Sequence, residues 1–135
     1  MVVLDASVIL KWFIPEKDRE SALRFRDAHA QAREQVIVPL LLFYEIANVI
    51  RYRKQLPDQE LISVFDILNS LEITALPPSF AEIGEAALYA RQKNISVYDA
   101  VYVVLAGRLG CNFITADKRL AVSVAEPFVK ILDEV

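Results

Sequence analysis

Short β-branched runs alternate with longer segments of helical period along the whole chain. Val2-Val3-Leu4 opens it, and after Asp5 the chain reaches Ser7, an N-cap for a helix predicted over Val8 to Phe13. Pro15 begins a charged stretch to Glu34 whose apolar anchors are Ala22, Leu23 and Phe25, the pattern of a surface helix. Val36-Ile37-Val38 reads as the second strand. Pro39 suits the first position of the next helix, Leu40 to Lys54, which is apolar on nearly every face before Arg51, Arg53 and Lys54, so it is expected to be largely buried. Pro57-Asp58 restarts the helical spacing with Leu61, Val64, Phe65 and Leu68, and Ile73-Thr74-Ala75 gives a brief strand. After the stop at Pro77-Pro78, Ser79 and Glu82 make a capping box, with Phe80, Ile83, Ala87 and Ala90 on one face of the helix that follows. Ser96 and Asp99 repeat the box ahead of an apolar helix from Val97 to Leu109, which Gly110 ends. A strand from Asn112 to Thr115, a helix from Lys118 to about Val124 and a strand from Phe128 to Leu132 complete the series.

This alternation predicts an α/β fold: three layers, with a parallel sheet of about five strands covered by helices on both faces. The 135 residues contain no internal repeat, linker or low-complexity segment, so residues 1–135 are read as a single domain. Hydrophobic residues make up 55% of the chain and charged residues 24%, enough apolar surface for a core and too much for disorder. One Cys (Cys111) and one His (His29) exclude a disulfide framework and a zinc site, so any metal must be held by oxygen. The longest apolar run, Val36 to Tyr44, contains Pro39 and stops at Glu45, short of the roughly 20 residues that span a bilayer. The N-terminus carries no basic and apolar leader, and a cytoplasmic location without membrane contact is expected. A net charge of -3 argues against a broad basic grip on nucleic acid, but carboxylates gathered around a dication would hold part of that charge in one place.

Parallel sheets collect ligands beyond the carboxyl ends of their strands, and Asp5 and Asp117 each follow a predicted strand there. Three acids have ordinary structural duties available: Asp5 in a turn, Asp117 as an N-cap, Asp99 as the partner of Ser96. Glu45 has none. It interrupts an apolar helix, and its neighbours three and four residues away are Leu41, Leu42, Asn48 and Val49, none of them a cation. A carboxylate so placed must reach solvent, a distant partner or a metal. Helical rise puts it only about 9 Å beyond Pro39, beside the strand ends that carry Asp5 and Asp117. Asp99 stands at a helix start, where the macrodipole favours the ionised form. Four acids on one edge raise one another's pKa until a dication neutralises them, and their hard oxygens select Mg²⁺ or Mn²⁺.

Taken in order, Val2-Val3-Leu4-Asp5-Ala6-Ser7, Tyr44-Glu45 with Asn48, Tyr98-Asp99-Ala100 with Tyr102, and Ile114-Thr115-Ala116-Asp117 resemble the PIN-domain nucleases, in particular the VapC-like toxins of prokaryotic toxin-antitoxin pairs. The likeness spans nearly the whole chain and rests on the ordered set. It implies a metal-dependent endoribonuclease in which Asp5, Glu45, Asp99 and Asp117 surround one or two Mg²⁺ ions, with Mn²⁺ able to substitute. Ser7 and Thr115 would be hydroxyl-bearing supports, and water would attack phosphorus to leave a 5′-phosphate. The resemblance also implies a homodimer, and an antitoxin whose C-terminal segment packs on the toxin and places a basic side chain in the acidic cavity. The apolar helices around Val49 and Val64 offer surface for such a partner. Lys11, Lys118 and Arg119 lie nearest the expected site and are candidates for RNA phosphate contact. Arg51-Tyr52-Arg53-Lys54 is a further one, although a helix C-terminus favours cations by its dipole alone. His29 is expected to be solvated, and Trp12 to belong to the core. Two other readings stay open. One is a non-catalytic RNA- or partner-binding module of the same fold; the other is a haloacid-dehalogenase-type phosphatase, whose second aspartate is replaced here by Ser7.

Overall fold

In the computed structural model, which describes Met1–Val135 throughout, Val2–Leu4 forms β1 at the centre of a five-stranded parallel sheet. The other strands are β2 (Val36–Pro39), β3 (Thr74–Leu76), β4 (Asn112–Thr115) and β5 (Val129–Ile131), in the order β3-β2-β1-β4-β5. Val3 lies between Ile37 of β2 and Phe113 of β4. Successive residues of β1 point to opposite faces, yet all three are buried, so helices must cover the sheet on both sides. The chain winds outward from β1 through β2 to β3, then returns to β4 on the other side. The sheet therefore has its switch point between β1 and β4, where crevices open in folds of this kind.

The helices are α1 (Ala6–Ile9), which runs on into a 3-10 turn at Leu10–Trp12, then α2 (Arg19–Ala30), α3 (Leu41–Ile50), α4 (Asp58–Ser70), α5 (Phe80–Lys93), α6 (Val97–Leu109) and α7 (Lys118–Val124). A last 3-10 turn covers Leu132–Glu134. Helix α6 packs on β1, β2 and β4 and is backed by α5. Its Tyr102 ring stacks on Phe113 with centroids 5.7 Å apart. Gly110 takes φ +64° to end α6, a left-handed conformation that suits Gly. No helix is long and apolar enough to cross a membrane.

Several local expectations change. Asp5, not Ser7, is the N-cap of α1, because the Asp5 carboxylate accepts the Val8 N–H while Ser7 already lies inside the helix. The charged stretch from Pro15 becomes helical only at Arg19, after Asp18 adopts φ 62°. Pro39 completes β2 instead of opening α3. Helix α3 is also shorter and less buried than expected: Leu42, Ile46 and Ile50, spaced by four, face the core, while Tyr44 and Val49 are exposed. An all-apolar helix conceals which stripe the sheet selects. Val64 belongs to the core and offers no surface. In α5 the buried face is Ala86 and Ala90, packed on Ala100 and Val104 of α6, because small residues let the two helices approach. Phe80 consequently stands almost wholly in solvent.

Trp12 is buried, as expected, and donates its indole N–H to the Ala22 carbonyl at 2.9 Å. His29 is not a solvated bystander. Its Nδ1 accepts the Val36 N–H at 3.1 Å, so Nε2 carries the proton and donates to the Leu71 carbonyl at 2.8 Å. One ring thus ties the end of α2 to the start of β2 and the end of α4.

Candidate active site

Asp5 follows β1 immediately, and Ala116 and Asp117 follow β4. Parallel pairing of these two strands brings both acids to one edge of the sheet, at the switch point. Asp5 is buried, and three donors hold its carboxylate: Ser7 Oγ on Oδ1 at 2.5 Å, the Val8 N–H on Oδ1 at 3.2 Å, and Thr115 Oγ1 on Oδ2 at 2.6 Å. Each hydroxyl in turn accepts a backbone N–H. Ser7 takes that of Ala116 at 2.9 Å, and Thr115 takes that of Asp117 at 3.0 Å. Two short relays therefore fasten Asp5 to the turn between β4 and α7. Asp117 caps α7 by accepting the Leu120 N–H at 3.0 Å, and its side chain reaches the exposed rim.

Glu45 and Asp99 complete the set. Glu45 on α3 is half-buried, and its partner is distant in sequence: the Tyr102 hydroxyl donates to Oε1 at 2.6 Å. Tyr102 is itself buried and fixed by its stack on Phe113, so it holds Glu45 from a rigid platform. In the sequence Tyr102 stands out only as part of the ordered pattern around Asp99. A sharper signal was available, since Asp99 and Tyr102 are three residues apart and share a helix face, and a buried Tyr hydroxyl needs a partner. Asp99 is half-buried in the first turn of α6, where its N–H donates to the Ser96 hydroxyl at 3.0 Å, the N-cap bond read from the sequence.

The electrostatics link all four acids. Burial pushes the Asp5 carboxyl up to about 6 against the pull of its three hydrogen bonds, and the charge of Asp99 adds to the rise. Burial also raises Glu45; the Tyr102 hydroxyl opposes this, while Asp5 and Asp99 reinforce it. Asp99 is raised by burial and by Asp117, with Ser96 opposing. Asp99 thus feels or acts on each of the other three. Tyr102 is held far above its usual range by burial and by the Glu45 charge, so it stays a donor.

The donor set suits a hard divalent cation: every group is oxygen, and Asp5 Oδ2 keeps a lone pair beyond its bond to Thr115. As the side chains stand, no three acidic, His or Cys groups close tightly enough on one point to ligate an ion. Closure would need side-chain rotation at Glu45, Asp99 or Asp117, since Asp5 is fixed on every side. The candidate phosphate contacts are less alike than their positions suggested. Lys11 is buried and paired with Glu16 at 3.4 Å, Lys118 is exposed but paired with Asp133 at 2.7 Å, and Arg119 is exposed.

The PIN domain family matches residues 2–125. Ribonuclease VapC3 of Pyrobaculum aerophilum is 33% identical over 124 residues, covering 89% of this chain and 92% of that protein. Ribonuclease VapC9 of Mycobacterium tuberculosis is 31% identical over 126 residues, covering 90% and 89%. Among solved structures, Mycobacterium tuberculosis VapC20, a Sarcin-Ricin loop cleaving toxin, superposes with a TM-score of 0.72 over 91% of this chain and 95% of that one, at 13% identity. VapBC2 from Rickettsia felis, bound to a DNA fragment from its promoter, gives a TM-score of 0.71 over 97% and 98% at 14% identity. At such identities the superpositions speak for the fold, while the family match and the curated relatives speak for descent. The chain belongs to the PIN domain family, as a relative of the VapC ribonucleases.

Proposed function

We propose that the chain is a Mg²⁺-dependent endoribonuclease, with Mn²⁺ able to substitute, and that it is the toxin of a toxin-antitoxin pair. The observation that supports this most is Asp5, buried at the switch point and fastened through Ser7 and Thr115 to the turn bearing Asp117. A buried carboxyl kept at a raised pKa beside three more acids is costly for the fold and useful for binding a cation. Asp5, Glu45, Asp99 and Asp117 would hold it. Such a cation supplies positive charge against a phosphate oxygen and makes water a competent nucleophile at neutral pH. The protein's own contribution is orientation: Ser7 and Thr115 aim the Asp5 oxygens, and Tyr102 holds Glu45 Oε1, leaving Oε2 free for the cation or for a proton from water.

The toxin reading draws on the relatives named ribonucleases and on neighbours solved as toxin-antitoxin complexes, one of them from Klebsiella pneumoniae. Exposed Tyr44, Val49, Tyr52, Ile62 and Ile67 on and beside α3 and α4 are surface that an antitoxin could cover. A homodimer and a cytoplasmic location belong to the same reading. Family membership sets aside the phosphatase alternative.

The test is cleavage of structured and single-stranded RNA with Mg²⁺ or Mn²⁺. Cleavage leaving 5′-phosphates is expected, abolished by excess chelator and by Asp5→Asn or Asp99→Asn while both variants stay folded. Cleavage in chelator, or by both variants, refutes the proposal. RNA binding without turnover under any metal indicates the binding module instead. For the toxin role, expression should arrest growth and a small co-encoded protein should relieve the arrest.

A further inference from the structure

Lys11 carries an unusual burden for a lysine. Its side chain is 10% exposed, and lysines are seldom buried so far unless paired. Its ion-pair partner is Glu16, which rides on the irregular loop between the first 3-10 turn and α2. Glu16 is shared. Its Oε2 lies 3.4 Å from Lys11 Nζ and its Oε1 accepts from Arg53 Nη2 at 3.0 Å, so two cations from separate elements each hold one oxygen of a single carboxylate. Two oxygens of one phosphate group can be gripped in the same way. Two cations on one acid also leave a net positive spot in a chain whose overall charge is -3.

The chain ties this cluster to the elements that carry the acids. Arg19 Nε and Nη2 donate to the carbonyls of Lys11 and Trp12 at 3.0 and 3.2 Å, which pins the backbone under Lys11 while Glu16 stays on the loop above it. The same loop borders α7: the charge of Asp18 acts on Lys118, and that of Lys17 on Asp133, the partner of Lys118. Lys118 adjoins Asp117. Lys11 lies on the 3-10 turn that continues the helix capped by Asp5, and Arg53 follows three residues after the end of α3, the helix that carries Glu45.

We propose that Lys11 and Arg53 form a binding subsite for a phosphate of the RNA strand other than the cleaved one, and that Glu16 occupies this subsite in the free protein. The subsite rests on the nuclease reading given above. RNA displaces the Glu16 carboxylate, and Lys11 exchanges one anion for another without being left buried and unpaired. Glu16 is thereby a competitor built into the chain, which limits affinity for RNA until a strand also engages the acids.

The test uses the full chain, a labelled single-stranded RNA oligonucleotide in fluorescence anisotropy with chelator present, and kcat and KM for the same RNA with Mg²⁺ or Mn²⁺. Glu16→Gln should bind RNA several-fold more tightly and lower KM with kcat unchanged. Lys11→Met and Arg53→Ala should each weaken binding, raise KM, and reduce the slope of log K against log salt by about 0.7. Thermal melts show whether each variant is folded. If the cluster is only a clamp on the loop, Glu16→Gln will lower the melting temperature and leave RNA affinity and KM unimproved, which overturns the subsite. A wild type that cleaves RNA while Glu16→Gln gains no affinity removes the subsite alone; a wild type that neither binds nor cleaves RNA removes the nuclease reading with it.

Discussion

Replacing Asp5 with Asn should stabilise the metal-free protein at neutral pH. The Asp5 carboxyl stands at about 6 in the folded chain against 3.8 for the unperturbed group. Below pH 3.8 both folded and unfolded states are protonated, and the stability is fully present. Between 3.8 and 6 the unfolded chain releases the proton while the folded one keeps it, so stability falls as pH rises; above 6 the loss is complete. Two pKa units correspond to about 3 kcal/mol. Asn is a neutral near-isostere whose Oδ1 can still accept from Ser7 and the Val8 N–H. Its amide would face Thr115, whose hydroxyl must turn from donor to acceptor, a loss of about 1 kcal/mol. The net gain at pH 8 is about 2 kcal/mol, or about 6 °C in Tm for a chain of this size. At pH 4 the gain should vanish or reverse. Thermal or urea denaturation of both proteins in chelator, from pH 4 to 8, measures this directly. A variant less stable than wild type at pH 8, or a difference that does not change with pH, would show that the hydrogen bonds of Asp5 outweigh its burial. Added Mg²⁺ should stabilise wild type more than the variant, since only a ligand that binds the folded state adds stability.

Tyr102→Phe removes the donor to Glu45 but keeps the ring on Phe113. On the proposed mechanism kcat should fall about tenfold with little change in KM. The Tyr102 hydroxyl lowers the Glu45 pKa, so the acid limb of the pH-rate profile should move upward; an unmoved limb would leave Tyr102 a packing residue only. His29→Ala strands the Val36 N–H and the Leu71 carbonyl, and should cost about 2 kcal/mol in denaturant unfolding while RNA cleavage by the folded fraction is unchanged.

Elements with clear punctuation were legible in the sequence. β1, β4 and α7 have the bounds read from their residues, because Asp5, Gly110 and Asp117 mark where β-branched runs stop or helices end. Faces were harder to read. In α3 an apolar side chain stands on nearly every side, and only contact with the sheet selects Leu42, Ile46 and Ile50. In α5 the expected face, Phe80, Ile83, Ala87 and Ala90, meets the core only at Ala90, because close packing on Ala100 selects Ala86 and Ala90.

The site divides in the same way. Asp5 and Asp117 could be placed together because parallel strands carry their ends to one edge, and Glu45 stood out as an acid with no local partner. What it meets, Tyr102, lies 57 positions away, and the Thr115 bond to Asp5 spans 110, so neither follows from local spacing. By residue type Ser7 is the expected cap, since Ser commonly caps helices. Asp5 does that work here, which frees the Ser7 hydroxyl to join β1 to β4. The pairing of Lys11 with Glu16 was likewise invisible, since a loop residue carries no periodicity.

The rate of RNA cleavage as a function of Mg²⁺ concentration, for wild type and for Asp5→Asn, Glu45→Gln, Asp99→Asn and Asp117→Asn, tests most directly whether the four carboxylates act as one site. Cleavage should saturate with Mg²⁺ in the wild type and fall by about a hundredfold or more in each folded variant. A wild-type rate that persists in chelator, or a Glu45→Gln protein that cleaves as fast as wild type, would contradict a single metal-dependent centre built from all four.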